Sequence, residues 1–163
     1  MTSDILLRNN VNVLGEGTQP LLFAHGFGCD QNMWRMIVPA FLKDYRVILF
    51  DYVGAGNSDW SAYSPELYGS LDGYAQDVLD ICEALDLKQV IFVGHSVSGM
   101  IGLLAAIQAP ERFANLILVS PSPSYLNDLP EYRGGFERAE IVGDGENLDL
   151  AIDPKLVWAQ AQR

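Results

Sequence analysis

Residues 89–109 read QVIFVGHSVSGMIGLLAAIQA. Gln89 to Gly94 is a short, uncharged, β-prone run, the pattern of a strand buried on both faces. Val97 to Ala109 is apolar, rich in small residues and closed by Pro110, the pattern of a packed helix. Strand and helix nearly touch, so Ser96 must stand on a very tight turn between them. A buried strand passing straight into a helix is the repeating unit of a parallel sheet.

The same unit recurs on both sides of that stretch. Downstream, Asn115 to Ser120 (NLILVS) reads as another buried strand. Upstream, Arg46 to Tyr52 (RVILFDY) is a continuous β-prone run that ends at a glycine-rich turn. Between them, Leu71, Tyr74, Val78, Ile81 and Leu85 mark one face of a helix, with Asp72, Asp77 and Asp80 off that stripe. Residues 31–42 (QNMWRMIVPAFL) place Met33, Trp34, Ile37, Val38 and Phe41 at helical spacing, predicting one amphipathic helix that Pro39 kinks or shortens. Residues 5–26 (ILLRNNVNVLGEGTQPLLFAHG) read as short strands broken at Gly15-Glu16-Gly17, with Leu21 to Ala24 the most buried. The fold class is therefore α/β: a mostly parallel, twisted sheet with helices on both faces and right-handed crossovers.

From Pro121 the character changes. PSPSYLNDLPEYRGG is a proline- and glycine-rich exit, followed by a turn-like GDGEN and a short helical pattern, PKLVWAQAQR. No further buried strand follows where a doubly wound sheet should place one or two more. Residues 1–128 are expected to form the core, and residues 129–163 the start of a cap region or a divergent tail.

Composition narrows the function classes. The chain has 163 residues, 49% apolar and 19% charged, which is globular rather than disordered. A net charge of −11 without any cluster of Lys and Arg disfavours nucleic acid and anionic membranes as partners. No apolar run approaches the ~18 residues of a membrane span. MTSDILLRNN lacks a basic stretch followed by an apolar one, so no secretory signal is expected and the protein is read as cytoplasmic. Cys29 and Cys82 read as reduced thiols, since nothing requires a disulfide. The two histidines and two cysteines show no paired ligand spacing, so neither metal nor cofactor is assigned.

The chemistry gathers around Ser96. A serine two residues after a strand and just before a helix has its hydroxyl lifted above the carboxyl end of the sheet. The turn needs small residues two positions to either side. Gly94 fills one, and Ser98, where glycine is commoner, fills the other. Taken alone, a Gly-x-Ser string is equally well an ordinary turn. A second component shifts that balance: His25-Gly26-Phe27-Gly28 directly follows the Leu21–Ala24 strand. Acyl transfer needs two N–H donors aimed at a developing oxyanion, and the amides of Phe27 and Val97 fit those roles. Asp51-Tyr-Val-Gly-Ala-Gly-Asn-Ser58 lacks the spacing of a phosphate cradle and reads as a structural turn, with Asp51 bonding nearby backbone.

These three elements, in this order, resemble the α/β-hydrolase superfamily. The segments FGCDQNMW, RVILFDYVGAGNSD, LDGYAQDVLDICEALDL, VIFVGHSVSG and SPSPSYLNDLPEYRGGFE are similar to the RsbQ-like group. These are bacterial stress-signalling hydrolases whose plant relatives are the karrikin and strigolactone receptors. The resemblance implies Ser96 as nucleophile, Phe27 and Val97 as oxyanion donors, and a small apolar ester or lactone as ligand or substrate. It also implies a helical cap inserted after NLILVS, and action upstream of a PAS-containing serine phosphatase that controls a stress sigma factor.

One departure matters. The superfamily's chain order is Ser, then Asp or Glu, then His, yet His25 and His95 both precede Ser96. Asp128, Asp144, Asp149 and Asp153 follow it, without a histidine to orient. Removing one triad member leaves ~10³–10⁴-fold acceleration over water, so the chain as it stands is expected to be nearly inert, with an exposed sheet edge. The alternative expectation is a non-catalytic signalling module that binds the phosphatase.

Overall fold

The computed structural model describes residues 2–122 together with Asn127, Pro130 and Arg133. The chain divides into two units, Met1–Pro121 and Ser122–Arg163. The expected boundary at 128/129, the GDGEN and PKLVWAQAQR patterns, and Asp128, Asp144, Asp149 and Asp153 lie outside the described residues.

The first unit runs α1 (Thr2–Arg8), β1 (Asn12–Leu14), β2 (Gln19–Ala24), β3 (Tyr45–Leu49), α2 (Pro65–Tyr68), α3 (Leu71–Ala84), β4 (Val90–His95), α4 (Val97–Gln108) and β5 (Phe113–Val119), with short 3₁₀ turns between. The five strands form one sheet in the order β1-β3-β2-β4-β5. β1 is antiparallel to β3, and every other pairing is parallel.

Strand alternation divides the core in two. Leu22, Ala24, Ile48, Val90 and Phe92 face α3 and α4, where Val78, Ile81, Ile101 and Ala105 complete a fully buried cluster. Leu21, Phe23, Val47, Leu49 and Val93 face the other way, onto Trp34 and Val38.

Four expectations are corrected. Residues 5–8 are helical, within α1, rather than a strand; the bare triplet Ile5-Leu6-Leu7 carries no period that separates the two states. Residues 31–42 do not form one helix but two 3₁₀ turns, Gln31–Trp34 and Val38–Ala40. Pro39 supplies no N–H, and its ring would collide with the carbonyl four residues back, so helix cannot run through it. Trp34 and Val38 still reach the sheet, while Ile37 is left exposed. Asp77 is not on a solvated face of α3 but is buried. Its carboxylate accepts bonds from Arg8 Nη2 at 2.7 Å, Asn9 Nδ2 at 3.0 Å and Tyr68 Oη at 3.0 Å.

The fourth correction is β5, expected to be buried. Ile117 is 47% exposed, Leu118 36% and Val119 37%. β5 ends the strand order and pairs only with β4 among the described residues, so no strand among them covers its other side, and much of its side-chain surface is exposed.

Candidate active site

β2 and β4 are adjacent and parallel, in register through Ala24↔Gly94. Both chains therefore leave the sheet side by side at its carboxyl edge, one as His25-Gly26-Phe27 and the other as His95-Ser96-Val97. Their contact is close. A Cβ on Gly26 would lie 2.5 Å from His95 Nδ1 and 3.4 Å from Ser96 Cβ, so only glycine lets the loop approach the serine.

Ser96 adopts φ 56° and ψ −123°, a backbone conformation that L-residues avoid. The turn is held from both sides. Ser96 N–H donates to the Val119 carbonyl at 2.8 Å, and Gly99 N–H donates to the Ser96 carbonyl at 2.9 Å. Val97 is the first residue of α4, so its amide has no acceptor within the helix itself. A Cβ on Gly94 would meet the Ser98 carbonyl oxygen at 2.5 Å, which explains the glycine two residues before the serine.

Ser98, two residues after it, is buried, and its Oγ bonds both the His25 carbonyl and Tyr52 Oη, the latter at 3.1 Å. Its single hydroxyl proton goes to the carbonyl, so Tyr52 O–H donates to Ser98 Oγ. Burial pushes the Tyr52 phenol well above its ordinary range, which keeps it a donor.

His25 is buried with both ring nitrogens engaged. Tyr52 N–H donates to Nε2 at 3.1 Å, and Nδ1 lies 2.9 Å from the Gly26 carbonyl oxygen. A backbone N–H can only donate, so Nε2 is the acceptor and Nδ1 carries the proton. Burial holds the His25 pKa below the ordinary imidazole value, against the opposing pull of the Gly26 bond and of Asp51 and Asp30. With both nitrogens spent on backbone groups, His25 has none left to take a proton from Ser96.

Asp51 frames the site from beneath. Burial raises its pKa, but bonds from Asn10 Nδ2 (2.7 Å) and from the amides of Gln31 (2.9 Å) and Asn57 (3.0 Å) outweigh this and hold it below the ordinary carboxylate range. It thereby ties together the segment before β1 and the loops that follow β2 and β3.

Ser96 and Val97 thus lie together at one sheet edge beside the loop that carries Phe27. Sequence reasoning missed Tyr52 as a partner and saw Ser98 only as a small residue. No spacing signal reveals either, because their partners lie 27 to 73 residues away.

Residues 19–141 match the family described as alpha/beta hydrolase fold. The chain belongs to that family. Within the alpha/beta hydrolase fold it is 47% identical over 133 residues to the karrikin insensitive 2 receptor CA of Petunia hybrida, covering 82% of this chain and 49% of that protein. It is 45% identical over 141 residues to the strigolactone esterase RMS3 of Pisum sativum, covering 86% and 53% respectively. Among solved structures, the hydrolase olei00960 from Oleispira antarctica superposes with a TM-score of 0.81 at 47% identity, over 86% of this chain and 51% of that one. The chain spans about half the length of the curated relatives it matches.

Proposed function

We propose that this chain carries the nucleophile and oxyanion hole of a serine hydrolase of the RsbQ-like group, which acts in the cytoplasm on a small apolar ester or lactone. The observation behind this is the Ser96 turn: a serine in a strained conformation, at the start of α4, against a glycine loop that no side chain could enter. Strain of this kind persists only where surrounding structure enforces it. In the proposed chemistry Ser96 Oγ attacks the substrate carbonyl, and the amides of Phe27 and Val97 receive the charge that develops on its oxygen. A relative named as a strigolactone esterase supports an ester-like substrate. Residues 1–163 hold no histidine after Ser96, so this stretch alone should retain only the ~10³–10⁴-fold acceleration that a hydrolase keeps without its base.

A fluorophosphonate probe tests the reading on the longest natural polypeptide containing these residues. Peptide mapping should place the adduct on Ser96, and Ser96→Ala should abolish it. Absence of labelling under conditions that label a control serine hydrolase overturns the reading.

A net charge of −11, an acidic surface that a partner could read, favours a second reading, a signalling module that binds a PAS-containing serine phosphatase. A pull-down with the immobilised folded protein tests it, and no retention of such a phosphatase counts against it.

A further inference from the structure

We propose that His25 is the positioning residue that aims the Phe27 amide at the oxyanion, and that Tyr52 and Ser98 lock His25 in place for that task. This deepens the serine-hydrolase reading and rests on it.

The physical basis is the planar peptide. In a trans peptide the carbonyl and the following N–H point in opposite directions. The Gly26 carbonyl is held by two donors, His25 Nδ1–H at 2.9 Å and Cys29 N–H at 3.2 Å. With that oxygen held on the side of the buried ring, the Phe27 N–H is turned the opposite way. Glycine at 26 has no side chain to restrict its dihedrals, so without such a tether this peptide can rotate and point the carbonyl where the amide belongs.

The tether is itself fixed. Tyr52 N–H occupies Nε2 and selects the tautomer with hydrogen on Nδ1, the only neutral form that can donate to Gly26. Tyr52 O–H donates to Ser98 Oγ, which donates to the His25 carbonyl and holds the preceding peptide as well. The aromatic ring of Tyr52 packs edge-on against the imidazole, with centroids 5.1 Å apart. Both peptides that flank Gly26 are therefore pinned from inside the core. Serine at 98 contributes a bond that glycine could not.

Two conservative variants separate orientation from mere packing. Asn side chains place a donor near the position of Nδ1, whereas Gln side chains place an acceptor near Nε2. His25→Asn should keep the bond to Gly26 and lose that to Tyr52; His25→Gln should do the reverse. With circular dichroism confirming the fold of both, the rate of fluorophosphonate labelling at Ser96 should fall in His25→Gln by up to the about 10²–10³-fold cost of one lost oxyanion donor. In His25→Asn it should stay within about threefold of wild type, well under that cost.

Residual dipolar couplings of the Phe27 N–H provide a readout independent of reactivity. The vector should reorient in His25→Gln and keep its wild-type direction in His25→Asn. Unchanged Phe27 couplings in His25→Gln, or equal labelling by both variants, overturn the proposal. A silent wild-type Ser96 overturns the hydrolase reading instead, and the couplings then still decide whether His25 orients the peptide.

Discussion

At the scale of single residues, the neutral His25 ring links stability to pH. Its native pKa is depressed by burial, while the unfolded chain offers an ordinary imidazole near 6.5. Above that value neither state binds the proton and the contribution of His25 is complete. As pH falls below it, the unfolded state takes a proton that the native state refuses, so stability declines until the native pKa is reached. Urea unfolding as pH falls from about 7.5 through 6.5 should show this slope, at most about 1.4 kcal/mol per pH unit, set against an opposite contribution from Asp77, whose carboxyl is held above its ordinary range by burial. His25→Asn should flatten it. Asp51 acts with the same sign lower down, because bonds from Asn10, Gln31 and Asn57 hold it ionised and are lost only as pH drops through its depressed pKa. The sequence displayed His25 just before Gly26 in a glycine-rich loop, but it showed no reason for a histidine there. The reason is a backbone amide at Tyr52, brought alongside by the pairing of β2 with β3.

At the scale of elements, α4 lies on β4 with no room to spare. A Cβ on Gly102 would come within 2.2 Å of the Phe92 ring. Gly102→Ala should therefore destabilise by about 1–3 kcal/mol through overpacking, although alanine is the better helix former by about 1 kcal/mol. Adding Phe92→Leu should recover part of the loss, as a double-mutant cycle in urea would reveal. The central strands β2, β3 and β4 were legible in the sequence because each alternates between two apolar layers, as Leu21 and Phe23 do against Leu22 and Ala24. The 31–42 segment was not, because its apolar spacing suits a helix while Pro39 forbids one. Asp77 was misread for a different reason: Arg8, Asn9 and Tyr68 converge on it from α1, the segment after it, and α2, and local spacing carries no trace of that. The serine turn was legible because its demands are local: a small residue before, a small residue after, and a helix beginning at once.

At the scale of the whole molecule, the acidic surface and the β5 edge oppose one another. A net charge of −11 keeps copies apart, while Ile117, Leu118 and Val119 offer an apolar strand edge on which copies could pair. Association of this 163-residue chain should therefore grow with salt, as screening removes the repulsion. Ile117→Lys should suppress it, which sedimentation velocity at low and high ionic strength would measure. A salt-independent monomer would contradict this view of β5.

The Ser96 backbone has its own consequence for the fold as a whole. A non-glycine residue at φ 56° and ψ −123° stores conformational strain, of order 1–3 kcal/mol. Deleting its side chain relieves that strain while also deleting the hydroxyl. Ser96→Gly should accordingly melt higher than wild type, by roughly 2–4 °C per kcal/mol recovered. Under the proposed serine-hydrolase function, the chain would then be sturdiest in the form that can no longer react, with durability and chemistry set against each other at one position.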